Sequence, residues 1–135
     1  MFGQTVAGHL AENDELQKPI CLLPVPLHAR RLQERGYNQS LLLARTIAGK
    51  LDNMMLCENV LTRVRYTLPQ AKMNREERLK NVRNAFVVQN KQILKDRVVA
   101  LVDDVMTTGS TLNECARVVR QADAKAVFSI TIARA

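Results

Sequence analysis

An open α/β sheet, mostly parallel and flanked by helices in the Rossmann-like manner, is the fold class predicted by three features of this 135-residue sequence. The run Val98-Val99-Ala100-Leu101-Val102 has no polar alternation and is too short to span a membrane, so it reads as a strand buried on both faces. Apolar runs of this type alternate along the chain with segments of helical spacing, the order that builds βα units. Asp103 and Asp104 close the run, at the carboxyl end of the strand, where the ligand crevice of such sheets lies.

In chain order, Phe2, Val6 and Leu10 recur at a spacing of four and predict a short helix within residues 2–16, packed on the sheet. Ile20 to Val25 is a first strand, with Pro24 and Pro26 ending its pairing and stiffening the exit loop. Leu41, Ala44, Ile47, Ala48 and Leu51 form the apolar stripe of a helix that Asn38 or Ser40 can cap. Val60 to Tyr66 alternates apolar and basic residues, the pattern of a half-exposed strand. The polar connection from Thr67 to Asn84 carries Asn74-x-x-Glu77, which predicts a capped helix over Arg75 to Val82. Its length is that of a lid. Ala85 to Val88 is a short strand and Val98 to Asp103 the acidic strand. Leu112 to Ala122 is a helix that begins near Ser110 or Thr111, where Thr111-x-x-Glu114 would by itself make a capping box, and Ala126 to Ile132 is the last strand. Asp123 stops that helix, as one of the few residues besides glycine tolerated in a left-handed turn.

A content of 47% hydrophobic residues in this length fits a single domain with one core, spanning 1–135. The cysteines Cys21, Cys57 and Cys115 are odd in number and include no C-x-x-C pair, so neither a zinc site nor a disulfide framework is readable. Cys21 and Cys115 are expected to be buried, inert thiols, and Cys57, in a polar linker, to be exposed. With no signal peptide and no apolar stretch of membrane-spanning length, a cytoplasmic location without membrane insertion is expected.

The segment Thr107-Thr108-Gly109-Ser110-Thr111 supplies hydroxyls and closely spaced backbone N–H groups, and Gly109 can take backbone angles that let an anion approach. The helix that follows points its unpaired first-turn N–H groups at the same spot. A phosphate suits that loop, while the neighbouring carboxylates suit neutral hydroxyls, so the inferred ligand is a ribose 5-phosphate unit. A P-loop nucleotidase is excluded by the lack of G-x-x-x-x-G-K-[ST], and a receiver domain by the single helix and strand that fit behind Asp104. An ordinary buried strand with a capped helix stays open, although it leaves two adjacent carboxylates unexplained.

The stretch Leu101 to Thr111 resembles the 5-phosphoribosyl 1-pyrophosphate motif of type I phosphoribosyltransferases. More narrowly, Pro24-Val25-Pro26-Leu27-His28, Arg35-Gly36-Tyr37-Asn38-Gln39, Thr67-Leu68-Pro69-Gln70, and Arg78 with Asn81 before Ala85-Phe86 resemble the ComF/GntX competence-associated family. The resemblance runs from Pro24 to Ala133 and implies the type I phosphoribosyltransferase fold. It further implies that Asp103 and Asp104 hold the ribose hydroxyls, as the catalytic pair, and that Thr107, Thr108, Gly109, Ser110 and Thr111 enclose the 5-phosphate. Pro26 to Asn38, with Leu27, His28, Arg35 and Gly36, would be the pyrophosphate loop, and Arg63 to Asn81, with Arg65, Gln70 and Arg78, a mobile flap. Mg²⁺ is the implied cofactor, held mainly through 5-phosphoribosyl 1-pyrophosphate, with no direct protein ligand. Relatives usually carry an N-terminal cysteine-rich segment resembling a zinc ribbon, and nothing of that kind precedes Phe2, so a fragment or a short form is expected.

Charge agrees with an anionic substrate. The formal net charge is +7, and Pro24 to Asn84 holds twelve Lys/Arg against five Asp/Glu. Arginine suits phosphate because its planar fork matches the oxygens, although a solvated basic face is the usual fate of any one arginine. His28 either hydrogen-bonds within its loop or meets the ligand, Gly36 fixes a tight turn, and Tyr37 plugs the loop rather than stacking. His9 is a surface histidine without functional weight. The function expected is transfer of phosphoribose to an unidentified acceptor. A non-catalytic sensor of 5-phosphoribosyl 1-pyrophosphate or of a nucleotide is the alternative from another class. A basic component of DNA uptake that binds single strands or competence proteins is the third reading, weakened by the few aromatic residues. Homodimerisation is left open.

Overall fold

The structure, a computed structural model, describes residues 18–65, 73–106 and 109–134. The helix expected within residues 2–16 lies outside them. In chain order the elements are β1 (Ile20–Pro24), α1 (Ala29–Arg35), α2 (Gln39–Lys50), β2 (Met54–Leu56), β3 (Leu61–Arg63), α3 (Arg75–Val82), β4 (Phe86–Val88), α4 (Lys91–Leu94), β5 (Val98–Met106), α5 (Ser110–Gln121) and β6 (Ala126–Arg134).

The main sheet has the order β2-β1-β5-β6, and each of its pairs is parallel. Successive residues of β1 and β5 pack to opposite faces. Cys21, Leu23, Val99 and Leu101 join the core beneath α5, together with Phe86, Leu112, Cys115 and Val119. Ile20, Leu22, Val98, Ala100 and Val102 join Ala44 and Ile47 of α2 on the other face. Both faces are thus covered, which is why the strands read as unbroken apolar runs. The mostly parallel sheet flanked by helices agrees with the fold class expected from the sequence.

Several elements differ from expectation for identifiable reasons. β2 was hidden because Met54-Met55-Leu56 carries no β-branched residue, and parallel pairing with β1 is what makes it a strand. That pairing also overturns the expected exposure of Cys57. Its N–H donates to Leu22 O at 3.0 Å, drawing it against β1, and the residue is only 7% exposed. Cys21 and Cys115 are buried as expected. β3 and β4 form a separate antiparallel ribbon, with Leu61 opposite Val88 and Arg63 opposite Phe86. Of the expected strand Val60 to Tyr66, Leu61–Arg63 is extended, and Tyr66 lies outside the described residues.

Between β1 and α2 the chain is not all loop, because α1 fills Ala29–Arg35. It buries none of its residues, so no apolar stripe announced it. His28 Nδ1 accepts from Arg30 N–H at 3.2 Å to cap its start, and Gly36, at φ +83°, ends it with an N–H to Leu32 O at 2.7 Å. Gly36 thus makes the expected turn.

The start of α5 at Ser110 is two residues earlier than a capping box at Thr111 requires. Gly109, at φ 80°, occupies the cap position without a side-chain bond, and Asn113 N–H returns to Gly109 O at 2.8 Å. Glu114, freed from capping Thr111, instead takes hydrogen bonds from Arg117 at 2.6 and 2.8 Å and from Asn84 N–H at 2.9 Å. Asp123 takes the left-handed conformation anticipated for it, at φ 64°.

Candidate functional site

The site is placed by the directions in which the chain leaves two neighbouring strands. β1 hands over through α2 to β2 on one side, and β5 hands over through α5 to β6 on the other, with α2 and α5 on opposite faces. The crevice between the carboxyl ends of β1 and β5 is therefore the topological switch point, where ligands bind in open α/β sheets.

Pairing on the two sides of β5 ends at different heights. On the β1 side the register stops at Pro24 opposite Val102, closed by Val25 N–H to Val102 O at 2.8 Å. On the β6 side it continues through Asp103 opposite Thr131 to Met106 opposite Arg134. The acidic strand is thus three residues longer than expected. Asp103 and Asp104 lie where β5 has a strand neighbour on one side only, open toward the crevice.

Asp103 and Asp104 are both half-buried. Burial, together with the Asp104 carboxyl as hydrogen-bond partner and like charge, pushes Asp103 up to about 6, and the Ser40 hydroxyl opposes that rise. Ser40 Oγ donates to Asp103 Oδ1 at 3.2 Å from the first turn of α2. Sequence reasoning treated Ser40 only as one of two capping candidates. Asn38 is the cap, accepting Ser40 N–H at 3.0 Å, and this leaves the serine hydroxyl for Asp103.

Next to this acidic pole, Gly109 and the N-terminus of α5 supply the cationic pole of a dipole, with Ser110 buried and Thr111 in the first turn. Thr107 and Thr108 lie outside the described residues, as does Gln70 of the expected flap.

A cleft of about 540 Å³ opens at the carboxyl end of β1, and neither carboxylate lines it. It gathers Pro26, Leu27, Gly36 and Asn38 from the expected pyrophosphate loop and Arg63 from β3. His28 and Arg35 do not line it. His28 caps α1 and Arg35 stands exposed in its last turn. Tyr37 does not plug the loop, since it is 50% exposed on the cleft wall.

Arg63 is half-buried, with its guanidinium carbon 5.0 Å from the centre of the Phe86 ring. Burial lowers its pKa, Arg31 and Arg65 act in the same sense, and Asp103 acts against them. Arg63 therefore lies within electrostatic reach of Asp103. Arg65 Nη2 donates to the carbonyls of Asn81 and Arg83 at 2.6 and 2.5 Å, tying β3 to the end of α3. Arg78, on α3, is held in a folded helix whose predicted cap is present, with Asn74 Oδ1 accepting Glu77 N–H at 2.8 Å. The flap expected over Arg63 to Asn81 thus includes β3 and α3 as regular structure.

The carboxylates thus lie at the switch point with a helix N-terminus after them, and Arg45 and Arg63 bring positive charge to a largely apolar cleft. The profile of the phosphoribosyl transferase domain matches residues 38–135, and the chain belongs to that family. It is similar to Competence protein F of Haemophilus influenzae, 39% identical over 90% of this chain and 53% of that protein. DNA utilization protein YhgH of Escherichia coli K12 is 37% identical over 88% of the chain and 51% of its own length. Competence protein ComFC of Bacillus subtilis is 31% identical over 87% and 45% respectively. These relatives bear out the resemblance to the ComF group, and the chain spans about half the length of the curated relatives it matches. Among the described residues, no helix is long and apolar enough to cross a membrane.

Proposed function

We propose that this domain binds 5-phosphoribosyl 1-pyrophosphate with Mg²⁺ and transfers its phosphoribosyl group to an acceptor in a process related to DNA uptake. The observation that carries the reading is the juxtaposition, at the switch point, of the Asp103–Asp104 pair with the Gly109-led N-terminus of α5. Ionised carboxylates accept hydrogen bonds, so they suit the ribose hydroxyls, whereas the helix N-terminus suits the 5-phosphate.

Displacement of pyrophosphate from the anomeric carbon develops positive charge on the sugar and negative charge on the leaving group. The protein has to position the ribose and receive the departing anion. Asp103 and Asp104 supply the first function. The cleft wall with Asn38 and Arg63 supplies the second, with Arg63 as its cation. Among the described residues, no three His, Cys, Asp or Glu side chains converge as metal ligands. Mg²⁺ would be held, hydrated, mainly through substrate oxygens, where it would neutralise the pyrophosphate.

Calorimetry with 5-phosphoribosyl 1-pyrophosphate and Mg²⁺ tests the reading. Binding is expected in the unaltered protein and should be lost in the Asp103→Asn/Asp104→Asn double variant; undiminished binding in that variant would exclude the site. Release of pyrophosphate with purine, pyrimidine or nicotinate-type acceptors then separates an enzyme from a sensor, which binds the ligand but releases nothing. Single-strand affinity that falls steeply with salt and survives the double substitution would instead indicate DNA binding.

A further inference from the structure

A circuit of hydrogen bonds crosses the switch point and ends on Asp103. Val25 N–H donates to Val102 O at 2.8 Å, and Asn38 Nδ2 donates to Val25 O at 3.2 Å. Asn38 Oδ1 accepts from Ser40 N–H at 3.0 Å, and Ser40 Oγ donates to Asp103 Oδ1 at 3.2 Å. The circuit closes through the peptide that joins Val102 to Asp103. It encloses the segment 26–37, so the placement of that segment and of the Asp103 side chain are fixed by the same bonds.

Ser40 is 4% exposed, and a serine buried at a helix start would ordinarily spend its hydroxyl on backbone N–H groups. Asn38 does that work here, and the Ser40 hydroxyl donates across to another element. An ionised carboxylate only accepts hydrogen bonds, so this donor favours the charged form of Asp103. The titratable groups bearing on Asp103 are Asp104 on its own strand, Arg63 from β3 and the Cys115 thiol from α5; α2 brings Ser40.

We propose that Ser40 is a positioning residue for Asp103: its hydroxyl fixes the carboxylate and keeps it ionised to accept ribose hydroxyls, with Asn38 linking that placement to segment 26–37. The proposal rests on the ribose reading of the acidic pair, but its first test needs no ligand. Burial and Asp104 hold Asp103 near the edge of the neutral range, so the loss of one donor has a measurable effect.

The experiment follows the Asp103 carboxyl carbon by NMR through a pH titration of the ligand-free chain and of its Ser40→Ala variant. The midpoint is expected to rise by about one pH unit in the variant, the shift equivalent to one hydrogen bond to a charged group. Asn38→Ala should move it in the same direction by less. Calorimetry with 5-phosphoribosyl 1-pyrophosphate and Mg²⁺ should show affinity about twofold weaker in Ser40→Ala near neutral pH and approaching tenfold weaker near pH 5, with the deficit narrowing as pH rises. An unmoved midpoint in a folded Ser40→Ala variant overturns the role of Ser40. Absence of binding by the unaltered chain, with the midpoint shifted, overturns the ribose reading instead.

Discussion

At Asp103, burial and the neighbouring Asp104 raise the carboxyl to about 6, well above its ordinary range, and the sign of the consequence can be worked out. A carboxyl easier to protonate in the folded state than in the unfolded chain destabilises the fold wherever it must be charged. That penalty is absent below about pH 4, grows as pH rises through the folded value, and is complete above it. Asp103→Asn is therefore expected to stabilise the domain by on the order of 2 kcal/mol near neutral pH and by almost nothing near pH 4. Urea unfolding at both pH values checks this, and equal effects at the two would contradict it. A binding group that costs stability is the usual pattern where a site was selected for its ligand. The same pKa predicts that ligand affinity falls as pH drops through 6.

Among the elements, α3 was the one most fully legible. Asn74-x-x-Glu77 marked its start, and the cap bond from Glu77 N–H is present at 2.8 Å. Asn74→Ala should cost about 1 kcal/mol of local stability, read as faster amide hydrogen exchange at Glu77. Exchange unchanged at Glu77 would show that the cap contributes nothing. Elements without a local signature were not legible. α1 buries no side chain and β2 is three residues long, so each depends on what surrounds it. At Thr111 a valid capping motif lost to Gly109, which reaches the left-handed conformation two residues earlier at no steric cost.

For the whole molecule, ligand binding and folding are linked. 5-Phosphoribosyl 1-pyrophosphate with Mg²⁺ at a hundred times its Kd should stabilise the domain by about 2.7 kcal/mol, visible as a rise in Tm that the double Asn variant lacks. A rise retained in that variant would place the ligand elsewhere. The basic excess between Pro24 and Asn84 was plain in the sequence, yet its parts have different tasks. Arg63 lines the cleft, Arg65 ties β3 to the end of α3, and Arg35 faces solvent.

The sequence by itself determined the buried parallel strands, the acidic pair at the end of β5, the left-handed turns at Gly36 and Asp123, and the family. Those properties are written in periodicity, residue type and near-neighbour spacing, which act over a few residues. Only the tertiary structure decided that β1 stops level with Val102 while β6 runs on, opening the crevice at Asp103. It also decided that Ser40 reaches Asp103 and that Cys57 is buried against β1. These depend on pairing between segments distant along the chain, 63 residues apart for Ser40 and Asp103, and no local pattern records which partner a side chain will meet.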